Sequence, residues 1–210
     1  MNSMERSRWI TAQGKIAVLT LALCAVPYLG IRAYLELGMH ETAVQAALPE
    51  TAVFGGLFVL GALLPSVGVV WIARRVLRDR LHFQLTGLLA VYLALIFIFA
   101  SSYAILQASS AEASFSGMPV MWRADEPMVL AEHVSRLHDL FFESLYLSAI
   151  TITTIGYGDL APISRFAKVL TALEGLVGVS FMGIALGHYF SVCLRPGVER
   201  VEVDRRDGGC

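Results

Sequence analysis

The chain has 210 residues, of which 56% are hydrophobic and 16% charged, with a mean hydropathy of +0.65 and a net charge of −1. Soluble domains carry about 25% charged residues, so this is a membrane composition. No basic run is interleaved with aromatics, which argues against a nucleic-acid partner, and the three cysteines, Cys24, Cys193 and Cys210, show no spacing that suggests a disulfide framework or a zinc site.

A bilayer core about 30 Å thick needs roughly 20 apolar residues in a helix. Ile16 to about Leu35 makes a first predicted span, containing Pro27 and Arg32. Its basic start also fits a cleaved signal peptide, but the apolar run continues past the small residues around Ala22. Arg32 stands alone near the outer end, where its stem can snorkel. Thr51 to Ala73 and Phe83 to about Leu106 make the second and third spans, both uncharged. Phe166 to Leu194 makes the fourth, with Glu174 its only acid.

The segment Asp139–Thr153 is apolar but too short to cross, which suits a re-entrant half-helix with Asp139 as its N-cap. Its C-terminus, which carries roughly half a negative charge, would point at the residues that follow. Ahead of it, Asp125, Glu126 and Pro127 predict the start of a separate short helix toward His138. His133 and His138 would be able to make this region pH-sensitive.

Charge is segregated. Arg6, Arg8 and Lys15 precede the first span, and Arg74, Arg75, Arg78 and Arg80 lie between the second and third. Glu36, Glu41 and Glu50 fill the loop between the first and second spans, and the 107–138 segment is also acidic. The positive-inside rule then predicts a multi-pass protein of the cell membrane with both termini cytoplasmic. The arginines at 74–80 lack the every-third-residue spacing of a voltage sensor. Their expected role is anchoring, with anionic lipid headgroups as possible partners.

Between the half-helix and the fourth span lies Thr153-Thr154-Ile155-Gly156-Tyr157-Gly158-Asp159. This T-T-I-G-Y-G-D stretch resembles the selectivity filter of the potassium-channel family. The resemblance covers about Phe83 to Leu194, and Leu160-Ala161-Pro162 suits the family's stretch after the filter. It implies an all-α membrane protein with four transmembrane helices, a pore helix and filter loop between the third and fourth, and a tetrameric pore. Residues 1–82 would hold two N-terminal helices, 83–194 the pore domain and 195–210 a short cytoplasmic tail. One filter per chain looks like the small prokaryotic channel subunits and unlike two-pore-domain channels.

The resemblance further implies that carbonyls of Thr154, Ile155, Gly156 and Tyr157 coordinate K⁺, the permeant ion, with no other cofactor or metal. The hydroxyl of Thr154 would close the innermost site. Gly156 and Gly158 would permit the left-handed angles that turn the carbonyls inward. Thr153, Asp159 and Tyr146 would support the filter. Asp159 often bonds an aromatic of the half-helix in the family, and the matching positions here are Tyr146 and Leu147, where many members have tryptophan. Gly178 aligns with the family's inner-helix hinge, though close helix packing explains a glycine equally well. Val179, Met182, Leu186 and Phe190 recur at helical spacing, and Phe190 is a candidate dewetting gate. Glu174 needs a partner inside a span. A brace to Ser148, Thr151 or Thr153 is expected, with a cation-attracting charge as the alternative. The expected function is a homotetrameric potassium channel without steep voltage dependence. A non-selective cation channel and a non-conducting regulatory subunit are the alternatives. No span carries a nucleophile–base pair or phosphate loop, so no enzyme is expected.

Overall fold

The computed structural model describes residues 18, 22–40, 50–78, 85–110, 112–121 and 130–193. The basic residues before the first span, those of the 79–84 connection, the 122–129 segment and the 194–210 tail lie outside the described residues. The molecule is helical. Helix α1 is Val26–His40, α2 is Glu50–Phe58, α3 is Leu64–Arg78, α4 is Leu85–Ser109, α5 is Leu130–Ile152 and α6 is Arg165–Cys193. Two short strands, β1 (Phe115–Ser116) and β2 (Ala161–Pro162), pair antiparallel.

Among the described residues, three helical stretches are long and apolar enough to cross a membrane: Val53–Trp71, Leu88–Ser109 and Arg165–Gly187. They coincide with the second, third and fourth predicted spans. Of the first, only the part from Ala22 onward is fully described, with Ala22–Cys24 helical, a turn at Ala25 and then α1. Proline is tolerated in a first helical turn, where its missing N–H would have no intrahelical partner, so Pro27 starts α1 rather than breaking it. The helix runs past Leu35 to His40, which brings Glu36 one turn above Arg32. Arg32, expected to stand alone, therefore pairs with Glu36 at 3.0 Å.

The rod α2–α3 contains a π-helical turn at Val59–Leu63, in which the N–H of Leu64 reaches the carbonyl of Val59. Gly61 in this turn is buried directly under the Pro27 ring. A Cβ there would lie 2.0 Å from Pro27 Cγ, so only glycine lets the two backbones meet. Such turns are rare and are held by tertiary contacts.

Helix α5 corrects the expected half-helix. It begins at Leu130, nine residues before Asp139, and the separate short helix expected toward His138 is its first part. Asp139 is exposed in mid-helix and caps nothing. The reason is periodicity: Leu137, Leu140, Ser144 and Leu147 recur at three- and four-residue steps, Leu130 lies two turns before them, and together they turn one face to the core. At 23 residues α5 is about 34 Å long. Its polar residues Glu132, Arg136, Asp139 and Glu143 keep it from being a membrane-crossing candidate.

The main core brings α1, α2, α4 and α5 together through Ile31, Phe54, Tyr103, Leu137, Leu140 and Leu147. Helix α1 packs on α5 itself, while α2 packs on α4. Tyr28 of α1 hydrogen-bonds His138, stacks on its ring and meets Phe141 edge-on. A second core joins α3 to α4 through Val69, Leu88, Val91 and Ala94. Cys24 is a buried free thiol in that core.

Candidate functional site: the loop after helix α5

Helix α5 ends in a Schellman motif, which ties up carbonyls that would otherwise lack partners. The N–H of Ile155 reaches the carbonyl of Ile150 at 2.9 Å, and that of Thr154 reaches Thr151 at 2.9 Å. Gly156 N–H also bonds the Ile150 carbonyl, at 3.2 Å. The motif needs a left-handed residue after the helix, usually glycine. Here it is Thr154, with φ +60°. A β-branched residue in that region pays roughly 1–2 kcal/mol. Backbone strain of this kind is concentrated at functional sites.

The left-handed backbone then recurs. Gly156 has φ +52° and Gly158 φ +84°, while Ile155 and Tyr157 between them are on the negative side. Alternating handedness lines up successive N–H groups on one side of the chain. The carbonyls consequently line up on the other. All residues from Thr153 to Asp159 are exposed in the chain by itself.

Tyr157 is 70% exposed, and its ring lies parallel to that of Tyr146 at a centroid distance of 6.5 Å. The Tyr146 hydroxyl donates to Asp159 Oδ2 at 2.9 Å. One α5 residue thus touches both the ring of Tyr157 and the carboxylate after the second glycine. Leu147, the other position matched to the aromatic, is buried instead. Thr153 caps its own helix, donating from Oγ1 to the Ala149 carbonyl at 2.5 Å.

Helix α6 passes behind the end of α5. At Gly178 a Cβ would lie 2.5 Å from the Ile152 carbonyl oxygen and 2.8 Å from its Cγ1. Of the two readings of Gly178, the contact favours packing. One turn earlier, Glu174 is fully buried. Its Oε1 lies 2.5 Å from Ser148 Oγ, and its Oε2 accepts from the Tyr103 hydroxyl. Ser148 is one of the three partners expected for it. Val179, Met182, Leu186 and Phe190 are all exposed on α6.

The loop's far end is held by the segment after α4. Ser116 pairs with Ala161 and Phe115 with Pro162, and the Ser114 carbonyl accepts from Ile163 and Ser164 at 2.8 and 3.2 Å. Gln107, buried near the end of α4, organises this turn. Its Oε1 accepts from the N–H groups of Ser114 and Phe115 at 2.9 and 3.0 Å, and its Nε2 donates to Pro119 at 3.3 Å. Sequence reasoning missed Tyr103, Gln107 and Tyr28. The first two carry a signal, being polar residues four apart at the end of the third predicted span.

Among the described residues no three His, Cys, Asp or Glu side chains gather into a metal site. The loop's backbone carbonyls are ligands of a kind suited to a hard cation that exchanges its water shell.

A family model described as an ion channel matches residues 91–195, half of the chain. Protein LctB of Bacillus caldotenax is 34% identical over 122 residues, 57% of this chain and 82% of that protein. The two-pore potassium channel 4 of Arabidopsis thaliana is 36% identical over 53 residues, 25% of this chain and 19% of the plant protein. The human potassium voltage-gated channel subfamily KQT member 4 is 43% identical over 47 residues, 22% of this chain and 7% of that protein. The matches thus span a fifth or less of these two channels. No solved structure matches.

Proposed function

We propose that this chain, which belongs to the ion-channel family, forms a homotetrameric potassium-selective channel whose filter is Thr154 to Gly158. The observation that carries the reading is the alternation of backbone handedness at Thr154, Gly156 and Gly158 in an exposed loop, an arrangement that would file carbonyls along one side. A ring of such carbonyls replaces the hydration shell of the ion. One chain offers too few oxygens to surround a cation, so four converge on one axis. The uncovered state of the loop in a single chain supports this, as does α6, the least covered of the three spanning candidates.

In this reading the carbonyls of Thr154, Ile155, Gly156 and Tyr157 hold K⁺, and the Thr154 hydroxyl closes the innermost site. Thr153, Tyr146 and Asp159 keep the loop's diameter. Helix α4 is the outer helix, α5 the pore helix and α6 the inner helix of a pore domain spanning residues 83–194. Residues 1–82 form a buttress around it, and 195–210 form a tail. The protein sits in the cell membrane among its lipids with both termini cytoplasmic, so the filter opens outward and conduction is passive.

The test is flux and current from purified protein in liposomes. K⁺ entry blocked by Ba²⁺, with a reversal potential that follows the K⁺ gradient, is expected. A reversal potential indifferent to K⁺ over Na⁺ would point to a non-selective pore. No flux from a correctly inserted tetramer would point to a regulatory subunit.

A further inference from the structure

Glu174 is the one fully buried carboxyl among the described residues. Neither ion pair found among those residues, Arg32–Glu36 or Arg136–Glu132, involves it. The ionisable groups facing it are the phenols of Tyr103 and Tyr92, both on α4. Helix α5 offers the Ser148 hydroxyl. A carboxylate with no cation in a low-dielectric site is so costly that such groups take up a proton instead.

The hydrogen bonds fit that state. Tyr103 has one hydroxyl proton and gives it to Oε2. Ser148 has one proton and two neighbours, Oε1 at 2.5 Å and the Ile96 carbonyl at 2.9 Å. The carbonyl can only accept. When Oε1 carries a proton it donates to Ser148, Ser148 donates to Ile96, and every contact in the cluster is made at once. The cluster joins α4 twice, at Tyr103 and Ile96, to Ser148 of α5 and Glu174 of α6.

We infer that Glu174 is a positioning residue that acts as a neutral acid, pinning α4, α5 and α6 together behind the filter through hydrogen bonds and not through charge. This rests on the channel reading for its functional consequence but not for its chemistry. Ser148 lies four residues before Ile152, and Glu174 lies one turn before Gly178, so the pin sits one turn from the Gly178–Ile152 contact.

The test uses the full-length protein in lipid. Infrared difference spectra at neutral pH should contain a protonated-carboxyl C=O band that Glu174→Gln removes. Glutamine can still donate to Ser148 and accept from Tyr103, so this variant should keep wild-type thermal stability and K⁺/Na⁺ permeability ratio. Glu174→Ala leaves Tyr103 and Ser148 unsatisfied, and the permeability ratio should fall on the order of tenfold. Absence of the band overturns the neutral state, and so does a Gln variant as impaired as the Ala variant. An Ala variant with wild-type selectivity and stability overturns the positioning role. If the wild type passes no K⁺, the channel reading fails, while the band and the stability order of wild type, Gln and Ala still decide this inference.

Discussion

Replacing Gly178 with alanine separates packing from hinging. The added methyl would sit 2.5 Å from the Ile152 carbonyl oxygen, 2.8 Å from Ile152 Cγ1 and 3.2 Å from its carbonyl carbon. Comfortable contact begins near 3.5 Å, so α5 and α6 must separate by about 1 Å. The obstacle includes backbone at the end of a helix, which no rotamer change moves aside. Overpacking of this kind costs about 1–3 kcal/mol, and the better helix propensity of alanine returns up to about 1 kcal/mol. A net loss of about 1–2 kcal/mol lowers the melting temperature by roughly 2–8 °C for a chain this long. Ile152 stands two residues before Thr154, so the displacement reaches the carbonyl file, and K⁺/Na⁺ selectivity should fall as well. Gly183→Ala is the matched control, because nothing lies within 4 Å of its added methyl in the chain. The assay is thermal unfolding in detergent paired with reversal potentials in liposomes. A Gly178→Ala protein that melts with the wild type and keeps its selectivity would refute the contact. One that keeps its stability and selectivity and loses only opening would restore the hinge.

Tyr146→Phe removes the hydroxyl that reaches Asp159. With about 1 kcal/mol lost, current decay during sustained opening should quicken about fivefold, and unchanged decay would show that the bond does not hold the filter. Gln107→Leu leaves the buried amides of Ser114 and Phe115 without their acceptor. It should destabilise the protein by about 2–4 kcal/mol, read by thermal unfolding, and a change below about 0.5 kcal/mol would mean that water or backbone replaces the side chain. Phe190→Ala should raise open probability if this exposed ring narrows the pore, and identical single-channel records would remove it from the gate.

The apolar spans and the T-T-I-G-Y-G-D stretch were legible because hydropathy and glycine placement are local properties. The bond from Tyr146 to Asp159 was legible for a related reason, since Tyr146 was the polar one of the two positions matched to the family's aromatic. The start of α5 was not. Asp139 has the chemistry of an N-cap and Pro127 that of a helix start, and both signals competed with a weaker one, the apolar periodicity running back through Leu137 to Leu130. Arg32 looked solitary only because α1 was ended at Leu35, one residue short of its partner. The partner Tyr103 of Glu174 lies 71 positions away, and no local pattern announces such a contact. The π turn is equally silent in the sequence, because it exists to receive Pro27 of another helix.

That turn has a mechanical consequence. Pro27 rests on bare backbone at Gly61, and Leu57 crowds Gly30 one turn further along α1, where a Cβ would lie 2.2 Å from Leu57 Cδ2. These two seats, Pro27 on Gly61 and Leu57 on Gly30, hold α1 close against the α2–α3 rod. From the same end of α1, Tyr28 bears on His138 and Phe141 of α5. A change at the seat between α1 and α2 therefore bears on α5, the helix that ends two residues before Thr154.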